Sequence, residues 1–153
     1  MSFMHFTGKD MDQYVQQKEY VDTAVVPLVQ LDLSPGGLKP SASASDYLQS
    51  LTNLLEKQFK GRVLLFPPLS YSKTSDRSRL AAEISAEINH TEFKHVFYVT
   101  TDPEWRAIET APNVIWLPAI PTENMDQSFK LSVMEDQLRQ VLPVFLKEWS
   151  KPS

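Results

Sequence analysis

Two aspartates, Asp32 and Asp102, are the residues of this chain best placed for acid–base chemistry, because each lies just beyond an apolar run. Paired carboxylates act as acid and base when their surroundings push their pKa values apart. Aspartate is also a common helix cap, and Asp102-Pro103-Glu104 combines a cap, a first-turn proline and an acid that complements the helix dipole. We therefore expect structural roles for both aspartates, with an acid–base pair as the alternative.

A further candidate is the polar segment Ser70–Ser75, which contains Tyr71 and Lys73 and follows another apolar run. A serine near a lysine can act as a nucleophile with its base. The segment lacks the Gly-x-Ser-x-Gly spacing of a nucleophile elbow, so we interpret it as a polar loop. Arg77 and Arg79 follow it and are interpreted as a solvated basic turn, with an anion site as the alternative. The residues that could bind a small molecule at this rim are Asp32, Tyr71, Lys73, Thr100 and Asp102.

Metal and phosphate sites are disfavoured by the residue types that are scarce or missing. The chain has no cysteine, four glycines and three histidines. His90 and His95 flank a predicted turn and could share a metal, but we expect a helix-terminal residue and a surface residue instead. Gly36-Gly37 alone cannot form a phosphate-cradling loop. We therefore predict no metal and no cofactor.

Four apolar runs predict the strands that must position these side chains. They are Ala24–Leu31, Arg62–Phe66, His95–Thr100 and Asn113–Leu117. Helical patterns separate the runs, which predicts an α/β fold: a three-layer α/β/α sandwich with a mostly parallel sheet of about four strands. In such sheets the functional surface is the rim at the carboxyl ends of the strands, where the polar candidates lie.

Local signals place the helices and loops. Helices are predicted over Met11–Tyr20, from Ser43 or Ser45 to Phe59, from Asp76, from Asp102 and from Asp126, the last kinked or broken at Pro143. The segment Ser34–Ser45 is predicted to be a long loop on the rim. Pro27 lacks an N–H and is expected at a sheet edge or a bulge. Strands three and four are expected to be neighbours because their connection is short.

Length and charge indicate the class of protein. The 153 residues favour one domain, over residues 10–150, after an N-terminal tail or loosely docked arm at residues 1–9. The 15 basic residues are scattered and the net charge is −4, so we predict no nucleic-acid binding. We also expect no membrane insertion, since no apolar stretch reaches the ~20 residues that cross a bilayer. A cytoplasmic location is expected because the chain starts unlike a signal peptide and has no cysteine.

Tryptophans are the side chains most able to anchor a partner protein, since large aromatic residues dominate many interfaces. Trp116 is expected in the core. Trp105 and Trp149 are the interface candidates, with local packing as the alternative. A protein partner or a second copy of the chain would use these two residues.

Three runs of residues carry a resemblance to a known family. They are Asp12–Tyr14 (DQY), Lys18–Leu28 (KEYVDTAVVPL) and Phe66–Tyr71 (FPPLSY). With them the chain resembles the YpiF-type family, short uncharacterised proteins of Bacillus and its relatives, to about Trp149. The resemblance rests on overall pattern and implies a family without an assigned activity.

Two landmarks also resemble the creatininase-like amidohydrolases: Val25–Leu28 in the first strand and Leu65–Tyr71 after the second. The metal site of that family does not carry over. Its first-strand glutamate and following histidine have no counterpart around Gln30–Gly37, and its histidine- and glycine-rich loop is here Thr100–Pro103. The resemblance therefore implies a related fold without a dinuclear metal centre.

These observations lead to two functional hypotheses. The first is an uncharacterised, non-catalytic cytoplasmic protein that acts through a protein interface as a regulatory or assembly factor. The second is a small-molecule binder or weak hydrolase-like enzyme at the rim, with the five polar residues named above as its site. We favour the first, because the rim lacks a cysteine, a histidine and a glycine-rich loop.

Overall fold

The computed structural model of this protein describes residues 4–111 and 113–152. Within these residues the chain forms four α-helices, one 3₁₀ helix and five β-strands. Their order is α1 (Gly8–Gln16), β1 (Thr23–Leu31), α2 (Leu38–Gln58), β2 (Val63–Leu65), β3 (Leu69–Ser72), α3 (Arg77–Ile88), β4 (His95–Thr100), the 3₁₀ helix (Pro103–Ala107), β5 (Val114–Trp116) and α4 (Gln127–Trp149).

The strands form one parallel sheet with β1 at its centre. The order is β2-β1-β4-β5, and β3 pairs with β1 beyond the end of β2. The amides of Phe66 and Lys73 donate to Val25 O and Leu31 O, so β2 and β3 lie on the same side of β1. The predicted α/β fold with a parallel sheet is confirmed, with five strands where about four were expected. β4 and β5 are neighbours, as their short connection predicted.

Alternate residues of the strands face two helical layers. Val25, Val29 and Phe97 pack in one apolar cluster with residues of α2 and α4. Val26 and Tyr98, one residue further along their strands, pack in a second cluster with residues of α3 and the 3₁₀ helix. The near-continuous apolar runs of β1 and β4 therefore reflect burial on both faces of the sheet.

The segment Ser70–Ser75, predicted to be a loop, begins inside β3, so that prediction is wrong for its first residues. Pro67-Pro68 interrupts the strand pattern, and serines alternate with the two apolar residues of β3. Tyr71 is buried while Ser70 and Ser72 are exposed, which is the alternation of a strand covered on one face. Pairing with β1 stabilises β3 despite its polar composition.

Pro27 lies in the central strand, so the expected edge or bulge is also wrong. Alternate residues of a parallel strand bond to the same neighbour, so Pro27 faces the β2 side, as Val25 does. On that side the chain leaves the ladder at residues 66–68, between β2 and β3. The missing N–H of Pro27 therefore falls where no ladder bond is required.

The predicted long loop Ser34–Ser45 is mostly helical, because α2 begins at Leu38. Pro40 lies in the first turn, where a backbone N–H has no intrahelical partner and proline is tolerated. The residue before the helix is Gly37, which has no side chain to cap it. Neither Ser43 nor Ser45 starts the helix, and the proline and serines that indicate a loop belong to its first two turns.

The N-terminal segment is docked from Met4 onward. Met4 is 2% exposed, its N–H donates to Glu56 Oε2 at 3.1 Å, and its carbonyl accepts from Leu65 N–H at 3.0 Å. α1 begins at Gly8, capped by Thr7, and ends at Gln16, earlier than predicted at both ends. Residues 1–3 of the expected tail lie outside the described residues.

The other predicted helix starts are confirmed. Asp76, Asp102 and Asp126 each accept a backbone N–H at the start of their helices. α4 runs without interruption through Pro143, which therefore does not break it. None of the helices in the described part of the chain is long and apolar enough to cross a lipid bilayer.

Candidate functional site

A crevice of about 330 Å³ opens at the carboxyl ends of β1 and β4. From β1 the chain leaves toward β2, whereas from β4 it leaves toward β5 on the other side of the sheet. Such a point, where the connections diverge, is where parallel α/β sheets bind ligands. We call this the rim crevice; its lining residues are Gln30, Asp32, Gly36, Gly37, Pro40, Ser41, Ala44, Thr101, Asp102, Pro103 and Ala119.

Asp32 is held at the crevice wall by the turn that follows it. Its Oδ1 accepts from the Ser34 hydroxyl at 2.7 Å and from Ser34 N–H at 3.2 Å, and its own N–H donates to Ser41 Oγ at 3.1 Å. Lys73 Nζ lies 3.7 Å from Asp32 Oδ2. The hydrogen bonds from Ser34, with a smaller contribution from Lys73, lower the pKa of Asp32. The carboxylate is therefore ionised at neutral pH.

Gly37 allows this carboxylate to lie against the N-terminus of α2. A Cβ at position 37 would lie 2.0 Å from Asp32 Cγ, far inside contact distance. A negative charge is favourable at a helix N-terminus. Because Asp32 already occupies this position, the crevice is poorly suited to a phosphate or another anion.

Asp102 is buried in a hydrogen-bonded cluster with Tyr71, Arg77 and Trp105, which we call the Asp102 network. Its Oδ2 accepts from the Tyr71 hydroxyl at 2.6 Å and from Arg77 Nε at 2.8 Å. Trp105 Nε1 donates to the Tyr71 oxygen at 2.7 Å. Asp102 Oδ1 caps the 3₁₀ helix through Glu104 N–H at 3.1 Å. Both oxygens of Asp102 are therefore committed within the fold.

The Asp102 network keeps Tyr71 protonated and Arg77 charged. Burial and the hydrogen bond to Asp102 raise the pKa of Tyr71, so its phenol stays a neutral donor. Burial alone would lower the pKa of Arg77, but the hydrogen bond and charge of Asp102 outweigh it and raise that pKa. Arg77 therefore stays cationic and compensates the charge of Asp102, which leaves neither Tyr71 nor Arg77 ready to exchange a proton near neutral pH.

Thr100 ties the two central strands together beneath the crevice. Its hydroxyl donates to Leu28 O at 3.1 Å and accepts from Asp102 N–H at 3.0 Å. Of the five predicted site residues, Asp32 and Asp102 line the crevice and Lys73 lies beside it. Tyr71 and Thr100 are buried and support it from below.

Neither tryptophan proposed as an interface anchor has a freely exposed ring. Trp105 is completely buried in the Asp102 network. Trp149 is half-buried; its indole N–H donates to Thr23 Oγ1 at 2.8 Å, and Arg62 stacks on its ring at 3.9 Å. Thr23 begins β1, so Trp149 lies at the opposite end of the sheet from the crevice.

Sequence reasoning missed Arg77 and Gly37. Arg77 is 8% exposed and pairs with Asp102, whereas Arg79 is exposed as expected of a basic turn. The position of Arg77 directly after the cap Asp76 gives no sign of burial. Gly37 precedes the predicted helix by several residues, and its contact with Asp32 depends on α2 beginning at Leu38.

Histidines do not assemble a metal site in the described residues. His90 is exposed, and His95 is half-buried 4.0 Å from Asp22 Oδ2 and 3.9 Å from Glu148 Oε1. No group of three or more histidine, aspartate or glutamate side chains is placed to hold a metal in residues 4–111 and 113–152.

Comparisons with known proteins identify relatives of the whole chain. Residues 12–149 match the family described as "Protein of unknown function (DUF2487)". The uncharacterised protein YpiF of Bacillus subtilis (strain 168) is 33% identical over 150 residues, which are 96% of this chain and 99% of that protein. No solved structure matches. The chain therefore belongs to the DUF2487 family and is similar over nearly its whole length to YpiF.

Proposed function

We propose that this protein is a non-catalytic binding protein whose rim crevice holds a small neutral or cationic polar molecule. The observation that carries the proposal is the crevice of about 330 Å³ at the point where the connections from β1 and β4 diverge. One of its walls is the ionised carboxylate of Asp32, which accepts hydrogen bonds from ligand hydroxyl or amino groups.

The lining of the rim crevice supports this ligand class. Its polar lining includes Gln30, which carries an amide, and Thr101, which carries a hydroxyl. Pro40, Ala44 and Ala119 supply apolar contact for a carbon skeleton. The carboxylate of Asp32 at the N-terminus of α2 disfavours anions. A small polyol or a primary amine meets all these conditions.

A non-catalytic role is supported by how the rim side chains are used. Asp102, the second carboxylate of the crevice, is compensated by Arg77 and hydrogen-bonded on both oxygens. Tyr71 donates to the same carboxylate. A general acid or base must be free to exchange a proton near neutral pH, and these groups are committed to the fold.

The test is the unfolding temperature of the purified protein in the presence of a panel of polyols and primary amines. Binding to the folded state raises that temperature. We expect a panel member to raise it for the wild type and not for the double variant Asp32→Asn, Lys73→Met. That variant should lose little stability without ligand, because asparagine keeps an oxygen that accepts from Ser34 and the Asp32–Lys73 contact is long.

The control for the aspartate change is Asp46→Asn, which removes one carboxylate charge, as Asp32→Asn does, from an exposed position of α2 outside the crevice. It should keep the response to the ligand. A response that persists in the double variant would place binding elsewhere and contradict the site.

We further propose a regulatory or assembly role in the cytoplasm, exercised through a protein interface. Its support is an apolar groove along α3, bordered by exposed acidic side chains. The absence of cysteine fits a reducing compartment. The buried Trp105 and the half-buried, packed Trp149 leave this groove as the better docking surface.

A further inference from the structure

An apolar groove of about 380 Å³ lies between α3 and the chain that links β2 to β3. One wall is the stripe Leu80, Ile84 and Ile88 of α3, and the other is residues 66–69; Val26 lines the groove from the sheet. The stripe residues are only half-buried. We call it the α3 groove.

Two acidic side chains border the α3 groove. Glu83 and Glu87 lie one turn apart on α3, line the groove and are exposed. Glu83 pairs with Arg79 at 3.2 Å, a contact between two exposed side chains that contributes little stability. A binding partner could therefore recruit both glutamates at small cost.

A symmetric second copy of this chain suits the α3 groove poorly. A two-fold dimer through the groove would place Glu83 and Glu87 of one copy near those of the other. Juxtaposed like charges oppose such pairing.

We propose that the α3 groove binds an amphipathic helix of a partner protein, with apolar residues in the groove and lysine or arginine beside Glu83 and Glu87. The stripe from Leu80 to Ile88 spans about 12 Å at about 1.5 Å per residue. Anchors at positions i, i+4 and i+7 of a partner helix span about 10.5 Å, which matches it. The negative charges of Glu83 and Glu87 favour a basic helix over an acidic one.

This inference rests on the interface role proposed above and gives that role a surface and a partner class. It does not depend on the rim crevice, which shares no lining residue with the α3 groove. If no peptide binds the α3 groove, the proposal of ligand binding at the rim crevice still stands. If no ligand binds the rim crevice, the proposal for the α3 groove still stands.

The test uses two synthetic peptides of about 14 residues with the same leucine positions, one with lysine and one with glutamate on the polar face. Fluorescence anisotropy gives their affinities for the full chain. We expect the lysine peptide to bind about tenfold more tightly than the glutamate peptide. In the double variant Glu83→Lys, Glu87→Lys this preference should reverse.

A matched control distinguishes binding at the α3 groove from a general attraction of basic peptides to an acidic protein. Glu135→Lys with Asp136→Lys makes the same change in net charge on the exposed face of α4, and Asp136 is paired with Arg139 as Glu83 is with Arg79. This control should keep the preference for the lysine peptide. Ile84→Ser, which keeps the charges of Glu83 and Glu87, should weaken binding of the lysine peptide about tenfold.

Amide chemical shifts locate the bound peptide. Shifts confined to α3 and residues 66–69 would support the proposal. Three results would overturn it: equal affinities for the two peptides, equal effects of the α3 and α4 charge reversals, or self-association of the protein that Ile84→Ser abolishes.

Discussion

At the scale of single residues, the Asp102 network commits the polar side chains beneath the rim to hydrogen bonds within the fold. Asp102 and Arg77 are 6% and 8% exposed and satisfy each other, with Tyr71 and Trp105 completing the hydrogen bonds. A buried ion pair is costly to break, because the remaining charge stays desolvated. The network therefore serves to position the segment after β4.

Arg77→Met tests this role. The change leaves the carboxylate of Asp102 buried without its cation, and we expect a loss of about 3–5 kcal/mol in the free energy of unfolding. Urea denaturation measures it. Adding Asp102→Asn to the same chain should recover part of the loss, because the buried charge is then gone. A loss below about 1 kcal/mol would show that the pair is not structurally required.

Gly37→Ala tests the contact between Asp32 and α2. The new Cβ would lie 2.0 Å from Asp32 Cγ, so either the carboxylate or the start of the helix must move. We expect a loss of about 1–3 kcal/mol in urea denaturation. Gly36→Ala is the control, since a Cβ there meets nothing within 4 Å, and should be close to neutral. Equal effects of the two changes would contradict the contact.

At the scale of elements, the sequence predicted β1, β2, β4 and β5 but not β3. The four predicted strands are apolar runs, and burial on both sheet faces produces such runs. β3 follows Pro67-Pro68, is half serine, and gains its stability from pairing with β1. The start of α2 was missed for a related reason: Pro40 and its serines indicate a loop, yet a helix tolerates them in its first turns.

The N-terminal arm, Met4–Thr7, protects the outer edge of β2. His5 pairs with Leu65, and Met4 N–H donates to the buried carboxylate of Glu56. Glu56 Oε1 lies 3.5 Å from His5 Nε2 and accepts no hydrogen bond within the described residues. Unpaired strand edges invite aggregation, so covering this edge is useful in itself.

Glu56 makes docking of the arm pH-dependent. Burial raises its pKa above the ordinary value of 4.5, while the Met4 N–H, His5 and Lys60 lower it and Asp10 raises it. Because the folded-state pKa exceeds the unfolded value, the folded protein is penalised as pH rises above 4.5, fully so above the folded-state pKa. Relative to Glu56→Gln, the wild type should become more stable as the pH falls from about 7 to 4.5.

Urea denaturation across this pH range measures the difference between the two proteins. Glu123→Gln is the control, because Glu123 is exposed and its pKa is lowered, so its contribution to stability has the opposite sign. A difference between wild type and Glu56→Gln that does not change with pH would contradict the burial of an ionisable carboxyl at this site.

At the scale of the whole molecule, strand order decides what the candidate residues can do. The sequence predicted the class of fold and the rim, but strand order depends on long-range pairing that local patterns do not encode. Because β1 and β4 are adjacent, Asp32 and Asp102 line the same crevice. The same order leaves α3 with an apolar groove at the β2–β3 edge, lined by residues other than those of the crevice.

We propose that the rim crevice holds a small polar molecule without transforming it. Native mass spectrometry of the protein purified from its own host tests this most directly. We expect a retained small molecule, unchanged over time, that is absent from Asp32→Asn and present in Asp46→Asn. A protein that emerges bare and whose unfolding temperature responds to no polyol or amine would contradict it, as would a molecule that Asp32→Asn retains.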